Sequence, residues 1–196
     1  MQPSRSWMRM TSMRKITAAA VALSTAALTL VPAATAHAER YRTDDPQDTS
    51  HGSDIVALHV RNGTENLNVT TEHVNLRRDP ATGSSGTIYL DTDKSDAGPE
   101  YVFVAGYFEG TDYQLLETEG FGPGKWGDPV ENGDYVMRVH YATDRAHVRI
   151  SRAALGKPGA VRVSVRASGT RTDGTSHGLV DWVGERRSFT PWIARG

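Results

Sequence analysis

The 196 residues carry 22 Lys plus Arg against 23 Asp plus Glu, a net charge of −1, and no cysteine. So balanced a chain is no general nucleic-acid binder, and the lack of thiols excludes a disulfide scaffold, a thiolate metal centre and a cysteine nucleophile. Burial, alone or with a bound ion, has to hold the fold.

Arg5, Arg9, Arg14 and Lys15, with no acid among them, precede an apolar run from Ile16 to Val31 and then Ala36-His37-Ala38. A basic region, a short Ala- and Thr-rich apolar stretch and small residues at −3 and −1 predict a secretory signal over residues 1–38, cut after Ala38. The expected product starts at Glu39, is secreted to the extracellular side, has no membrane span and is mildly acidic, since all four basic residues of the leader are lost. Residues 39–53, ERYRTDDPQDTSHGS, are polar and without an apolar period, and read as a flexible lead-in.

From Asp54 onward short β-type runs are divided by Gly, Asp and Pro. They are DIVALHV (54–60), ENLNVTTEHVNL (65–76), GTIYLDT (86–92), EYVFVAGYF (100–108), DYQLLETE (112–119), DYVMRVHY (134–141), RAHVRI (145–150) and AVRVSVRAS (160–168), with a last strand within 184–194. Val161, Val163 and Val165 alternate with Arg162, Ser164 and Arg166, and Ala146, Val148 and Ile150 with Arg145, His147 and Arg149. Period-two alternation means one packed and one wet face. The expectation is an all-β protein, a single antiparallel β-sandwich of eight or nine strands over residues 54–196, as a monomer. The one helix-like piece is SRAAL (151–155), which Ser151 can cap and Gly156 and Pro158 stop.

Three stretches have the residue types for binding. In YLDTDKSDAGPEYVF, Asp91, Asp93 and Asp96 could converge oxygens on a structural calcium, which takes six to eight of them. The EF-hand pattern is excluded, because Gly is absent at position 96 and Glu at position 102. The alternative is a plain turn in which Gly98 takes a backbone angle others resist. A hairpin of DYVMRVHY with RAHVRI, centred on Thr143-Asp144, would set His140 opposite His147 and Arg138 opposite Arg149, an outward anion-binding stripe with Arg162 and Arg166 on the next strand; the alternatives are a solvated face whose arginine stems spread into water, and an odd-length turn with a bulge that breaks this pairing. The long loop 119–133 offers Phe121 and Trp126, with Tyr113 beside them, as a sugar platform and Asp128 or Glu131 as acceptors for hydroxyl hydrogens; the alternative is that Trp126 closes the end of the sandwich.

Asp54-Ile55-Val56 opening a strand, then GTIYLDTD, GPEYVF and HVRISRAALGKPGAVRVSV, resemble over about residues 54–168 the DOMON and family-9 carbohydrate-binding-module type of β-sandwich found in small exported bacterial proteins. The resemblance implies a non-catalytic domain that binds sugars, haem or other ligands, often with structural calcium.

No HExxH, GxSxG, phosphate-loop or dinucleotide pattern occurs, so the expectation is no enzyme. Three readings follow: a secreted binding module for carbohydrate or another extracellular ligand; a structural or protein-interaction domain of the cell envelope; and a glycoside hydrolase drawing a carboxylate pair from residues such as Glu65, Glu117 or Asp181.

Overall fold

A period-two chain must bury one face of every strand, and here it does so between two antiparallel sheets. The computed structural model describes residues 39–170 and 179–196. Its strands are β1 (Glu39–Asp44), β2 (Ile55–Asn62), β3 (Asn66–His73), β4 (Ser85–Asp91), β5 (Tyr101–Gly106), β6 (Tyr113–Thr118), β7 (Trp126–Pro129), β8 (Tyr135–His140), β9 (Arg145–Ser151), β10 (Ala160–Gly169), β11 (Leu179–Trp182) and β12 (Ile193–Ala194). The first sheet runs β1-β2-β3-β9-β8, and the second β11-β10-β4-β5-β6-β7 with β12 paired to β10.

Leu58, Val60, Leu67, Val69, Val148 and Ile150 of the first sheet meet Ile88, Leu90, Phe103, Leu115, Val161, Val163 and Val165 of the second in one core, each 2% exposed or less. Each such side chain contributes about 1.5–3 kcal/mol on burial. The sandwich can close tightly at Gly86, where an added Cβ would stand 1.8 Å from the Tyr107 hydroxyl oxygen. Among the described residues, no helix is long and apolar enough to cross a membrane.

All eight runs read from the sequence become strands, and Ser151 caps the 3-10 turn Arg152–Leu155, accepting from the Ala154 N–H, before Gly156 ends it. The structure adds three strands: β1, β7 and β11. Residues 39–53 are therefore not simply a lead-in. β1 pairs with β2 along its whole length, and its backbone finds partners although its outward side chains are charged. The strand expected within 184–194 shortens to Ile193–Ala194. Residues 1–38, expected from the sequence to be a secretory signal, lie outside the described residues.

The two sheets differ on their outer sides. Tyr89, Val102 and Leu116 face outward from the second sheet and are covered by Phe121 and Phe189 from loops and by Trp126 of β7 and Trp182 of β11. Among the described residues the first sheet has no such cover, and its outer face is polar.

Candidate functional site

The outward face of the first sheet is a ladder of basic side chains, and the strand register fixes their order. One row across the five strands reads Arg42, His59, Thr70, His147, Arg138. The next reads Arg40, Arg61, Asn68, Arg149, Val136, and the third Asp44, Ala57, Glu72, Arg145, His140. Neighbours within a row stand about 5 Å apart and rows about 7 Å apart. Six arginines and three histidines thus share one face with two acids, both in the third row.

Those acids do limited neutralising. Glu72 Oε1 lies 2.8 Å from Arg145 Nη2 and 3.2 Å from His59 Nε2, and Asp44 meets Arg42 at 3.5 Å with both side chains exposed. Among the described residues Arg40, Arg61, Arg138 and Arg149 form no ion pair. The resulting field shows at His147, whose half-buried ring bonds through Nδ1 to Thr70 Oγ1 at 2.8 Å. Burial lowers its pKa first, and the positive charges of His140, Arg138 and Arg149 lower it further.

The four residues expected on this stripe do share the face, but the hairpin register differs. Tyr141 to Asp144 form the loop, with Asp144 in the left-handed region at φ 51°, so Arg138 faces His147, His140 faces Arg145 and Arg149 faces Val136. The loop is tied down from below: Asp144 Oδ1 accepts the Leu76 N–H and its carbonyl the His73 N–H. Arg162 and Arg166 are not on the next strand. β9 neighbours β3, whereas β10 carries both arginines in the other sheet. The sequence missed Arg40, Arg42 and Arg61, because the strand supplying the first two has a single strong apolar residue, Tyr41.

The aromatic candidates separate. Phe121 is drawn into the covering layer, its ring centre 4.6 Å from that of Tyr89 and 5.4 Å from that of Phe189. Tyr113 stacks on Phe103 at 5.8 Å at the core edge. Trp126 is half-buried on the outer cluster, yet it borders two open grooves. One, of about 530 Å³, runs past Glu100, Glu117, Glu119 and Asp128; the other, of about 690 Å³, passes Val104, Tyr113 and Arg166. Asp128 and Tyr113 therefore flank Trp126 on different sides and do not form one platform with Phe121. Glu131 lies beyond Asp128, on a further groove that Glu117 also borders.

Asp91, Asp93 and Asp96 do not converge as a calcium site would require. Asp91 is fully buried and receives the Arg162 guanidinium, Nε at 2.7 Å and Nη2 at 2.5 Å from Oδ2. Asp93 accepts the Ser95 N–H and hydroxyl at 2.8 and 2.7 Å, and Asp96 accepts the Ala97 N–H at 2.7 Å. These are turn-forming bonds, and Gly98 has φ +138°. The strand end buries the Asp91 carboxylate against Arg162, beneath Phe189 and Trp192, while the loop turns the other two to water, which is why closeness in sequence fails to become closeness in space.

Of the carboxylates considered for hydrolysis, Glu117 on β6 and Asp181 on β11 are separated by three intervening strands, more than about 19 Å. Glu65 belongs to the β2–β3 turn of the other sheet. No family model matches the chain and no curated protein matches it in sequence, so the resemblance stated above rests on strand order and short motifs.

Proposed function

We propose that the protein is a secreted, non-catalytic binding module that holds an acidic polysaccharide on the outer face of the first sheet. The observation that carries this reading is the cross-strand register, which sets Arg42, His59, His147 and Arg138 in one row and Arg40, Arg61 and Arg149 in the next with no acid between them. A guanidinium offers a planar fork that fits carboxylate or sulfate with paired hydrogen bonds. Side chains on a sheet keep fixed spacings, so a repeating anionic chain meets several of them at once and each added contact is intramolecular. The expected secreted product is mildly acidic as a whole, so the clustering of basic side chains on this face sets its field apart from the rest of the surface and orients an anionic partner.

The test is retention on sulfated-glycan and uronate resins. The natural protein is expected to be held at low salt and released well before 1 M, because exposed contacts are screened over about 3 Å there. Arg138→Ala with Arg149→Ala should abolish retention while leaving thermal stability equal or slightly raised, since like charges on neighbouring strands cost a few tenths of a kcal/mol. Unchanged retention of the double variant, or equal retention on immobilised DNA, would contradict an acidic polysaccharide as the ligand.

A second ligand surface is favoured by the half-exposed Trp126 between two grooves, where an indole ring can lie on a sugar face and Asp128, Glu117 or Glu119 can accept hydroxyl hydrogens. Quenching of tryptophan fluorescence by a neutral glycan, lost in Trp126→Ala, would establish it; an undiminished response in that variant would remove it.

A further inference from the structure

The β1–β2 connection TDDPQDTSHGSD carries Asp45, Asp48 and Asp54 and passes over the end of β11, where Asp181 sits. Three of these carboxylates each spend one oxygen on a backbone N–H, Asp45 and Asp181 on another segment and Asp54 within its own loop. Asp45 Oδ1 accepts the Gly184 N–H at 2.8 Å, Asp54 Oδ1 the Thr49 N–H at 2.6 Å, and Asp181 Oδ2 the Ile55 N–H at 2.6 Å. Their other oxygens, Asp45 Oδ2, Asp54 Oδ2 and Asp181 Oδ1, are shut off from solvent and have no hydrogen-bond partner.

Asp54 and Asp181 are only 0% and 4% exposed. One carboxylate oxygen from each of Asp48, Asp54 and Asp181 lies within 4.8 Å of the others. Among the described residues no Lys, Arg or His forms an ion pair with any of the four. Buried carboxylate oxygens without a partner are costly, and gathering several makes each harder to ionise. A small, highly charged counter-ion removes both penalties together.

We propose that Asp48, Asp54 and Asp181 bind a calcium ion, with Asp45 beside them adding negative charge. The donor set is all oxygen, which suits a hard cation and lacks the nitrogen or sulfur that zinc prefers. Oxygens about 2.4 Å from a common ion stand at most about 4.8 Å apart, and the three oxygens here all lie within that limit. Two buried carboxylates form the floor and exposed Asp48 the rim, leaving an open side for the waters that complete six to eight ligands. Magnesium, which demands a near-ideal octahedron, fits such an uneven set less well. The ion joins the β1–β2 loop of the first sheet to β11 of the second, so in a chain without cysteine it fastens sheet to sheet.

The experiment is thermal unfolding of the chelator-treated, full-length protein with calcium chloride added alone. A saturable rise of roughly 5 °C is expected, half complete near 0.1–1 mM, the range of extracellular calcium modules. Asp48→Asn should remove the rise without unfolding the protein, because that exposed carboxylate holds none of the backbone bonds above. Asp93→Ala, in the other acidic loop, should keep it in full. No rise by about 10 mM calcium, a full rise in Asp48→Asn, or a rise lost in Asp93→Ala would each overturn the assignment.

Discussion

Replacing Arg162 by alanine is expected to cost the fold about 3–5 kcal/mol, the penalty for stranding one member of a buried ion pair. Asp91 is wholly buried on β4, and across the β10–β4 register its Oδ2 takes both Nε and Nη2 of Arg162. Burial raises the Asp91 pKa and the guanidinium opposes that rise. With the arginine gone, burial and the nearby Glu100 charge are opposed only by the Asp93 backbone N–H.

The guanidinium is itself held, with Phe189 and Trp192 ring centres 4.7 and 4.9 Å from it. Arg162→Lys should fall between the two, since an ammonium cannot reproduce the paired geometry. Asp91→Asn combined with Arg162→Ala should recover much of the loss, because no bare charge then stays inside. Urea midpoints converted to free energies decide the matter. A loss below about 1 kcal/mol for Arg162→Ala would show that water reaches Asp91 and that the pair is only superficial.

Asp181→Asn, in chelator at pH 7, is expected to be more stable than the natural protein by about 3 kcal/mol. Burial raises the Asp181 pKa from 3.8 to about 6, helped by Asp54, Asp45 and Asp48 and opposed by the Ile55 N–H. A carboxyl that binds its proton more tightly folded than unfolded destabilises the fold in full above pH 6, and this burden lifts as pH falls toward 3.8. The amide keeps the bond to Ile55 and carries no charge, so the gap should close by about pH 4. In saturating calcium the order should reverse, because the variant loses a ligand.

His73 acts in the opposite direction. It is buried, its Nδ1 lies 2.7 Å from the Ser53 carbonyl oxygen and its Nε2 2.7 Å from Thr71 Oγ1, so it is neutral with Nδ1 as donor. Burial lowers its pKa from 6.5 to about 4. Its stabilisation, also about 3 kcal/mol, is complete above pH 6.5 and is lost as pH falls through 4. The two groups therefore offset each other between pH 4 and 6 in the apo protein, and Asp181→Asn should expose a steep acid loss that the natural chain conceals. Parallel pH profiles for the two proteins would refute this account.

Alternation in the sequence was enough to place eight strands, because the choice between buried and wet is made residue by residue, as at Val161, Val163 and Val165. The Ser151 cap and the turn after Asp93 were legible for a similar reason, since each closes hydrogen bonds within a few residues. The same alternation predicted that Arg138, His140, His147 and Arg149 face outward. It could not supply their partners. Register depends on how the Tyr141–Asp144 loop is pinned to β3, and the basic face became continuous only when β1 docked beside β2.

Charge alone misled at Asp91, where neighbours in sequence point to opposite environments, and it did not join Asp48 and Asp54 to Asp181, which lies more than 120 residues further along the chain. What the linear order determined was the β class and the sidedness of each strand, properties set by local periodicity. Which side chains meet was decided by the stacking of one sheet on the other, since only that closure sets the distance and the solvent access on which ion pairs, metal sites and shifted proton affinities depend.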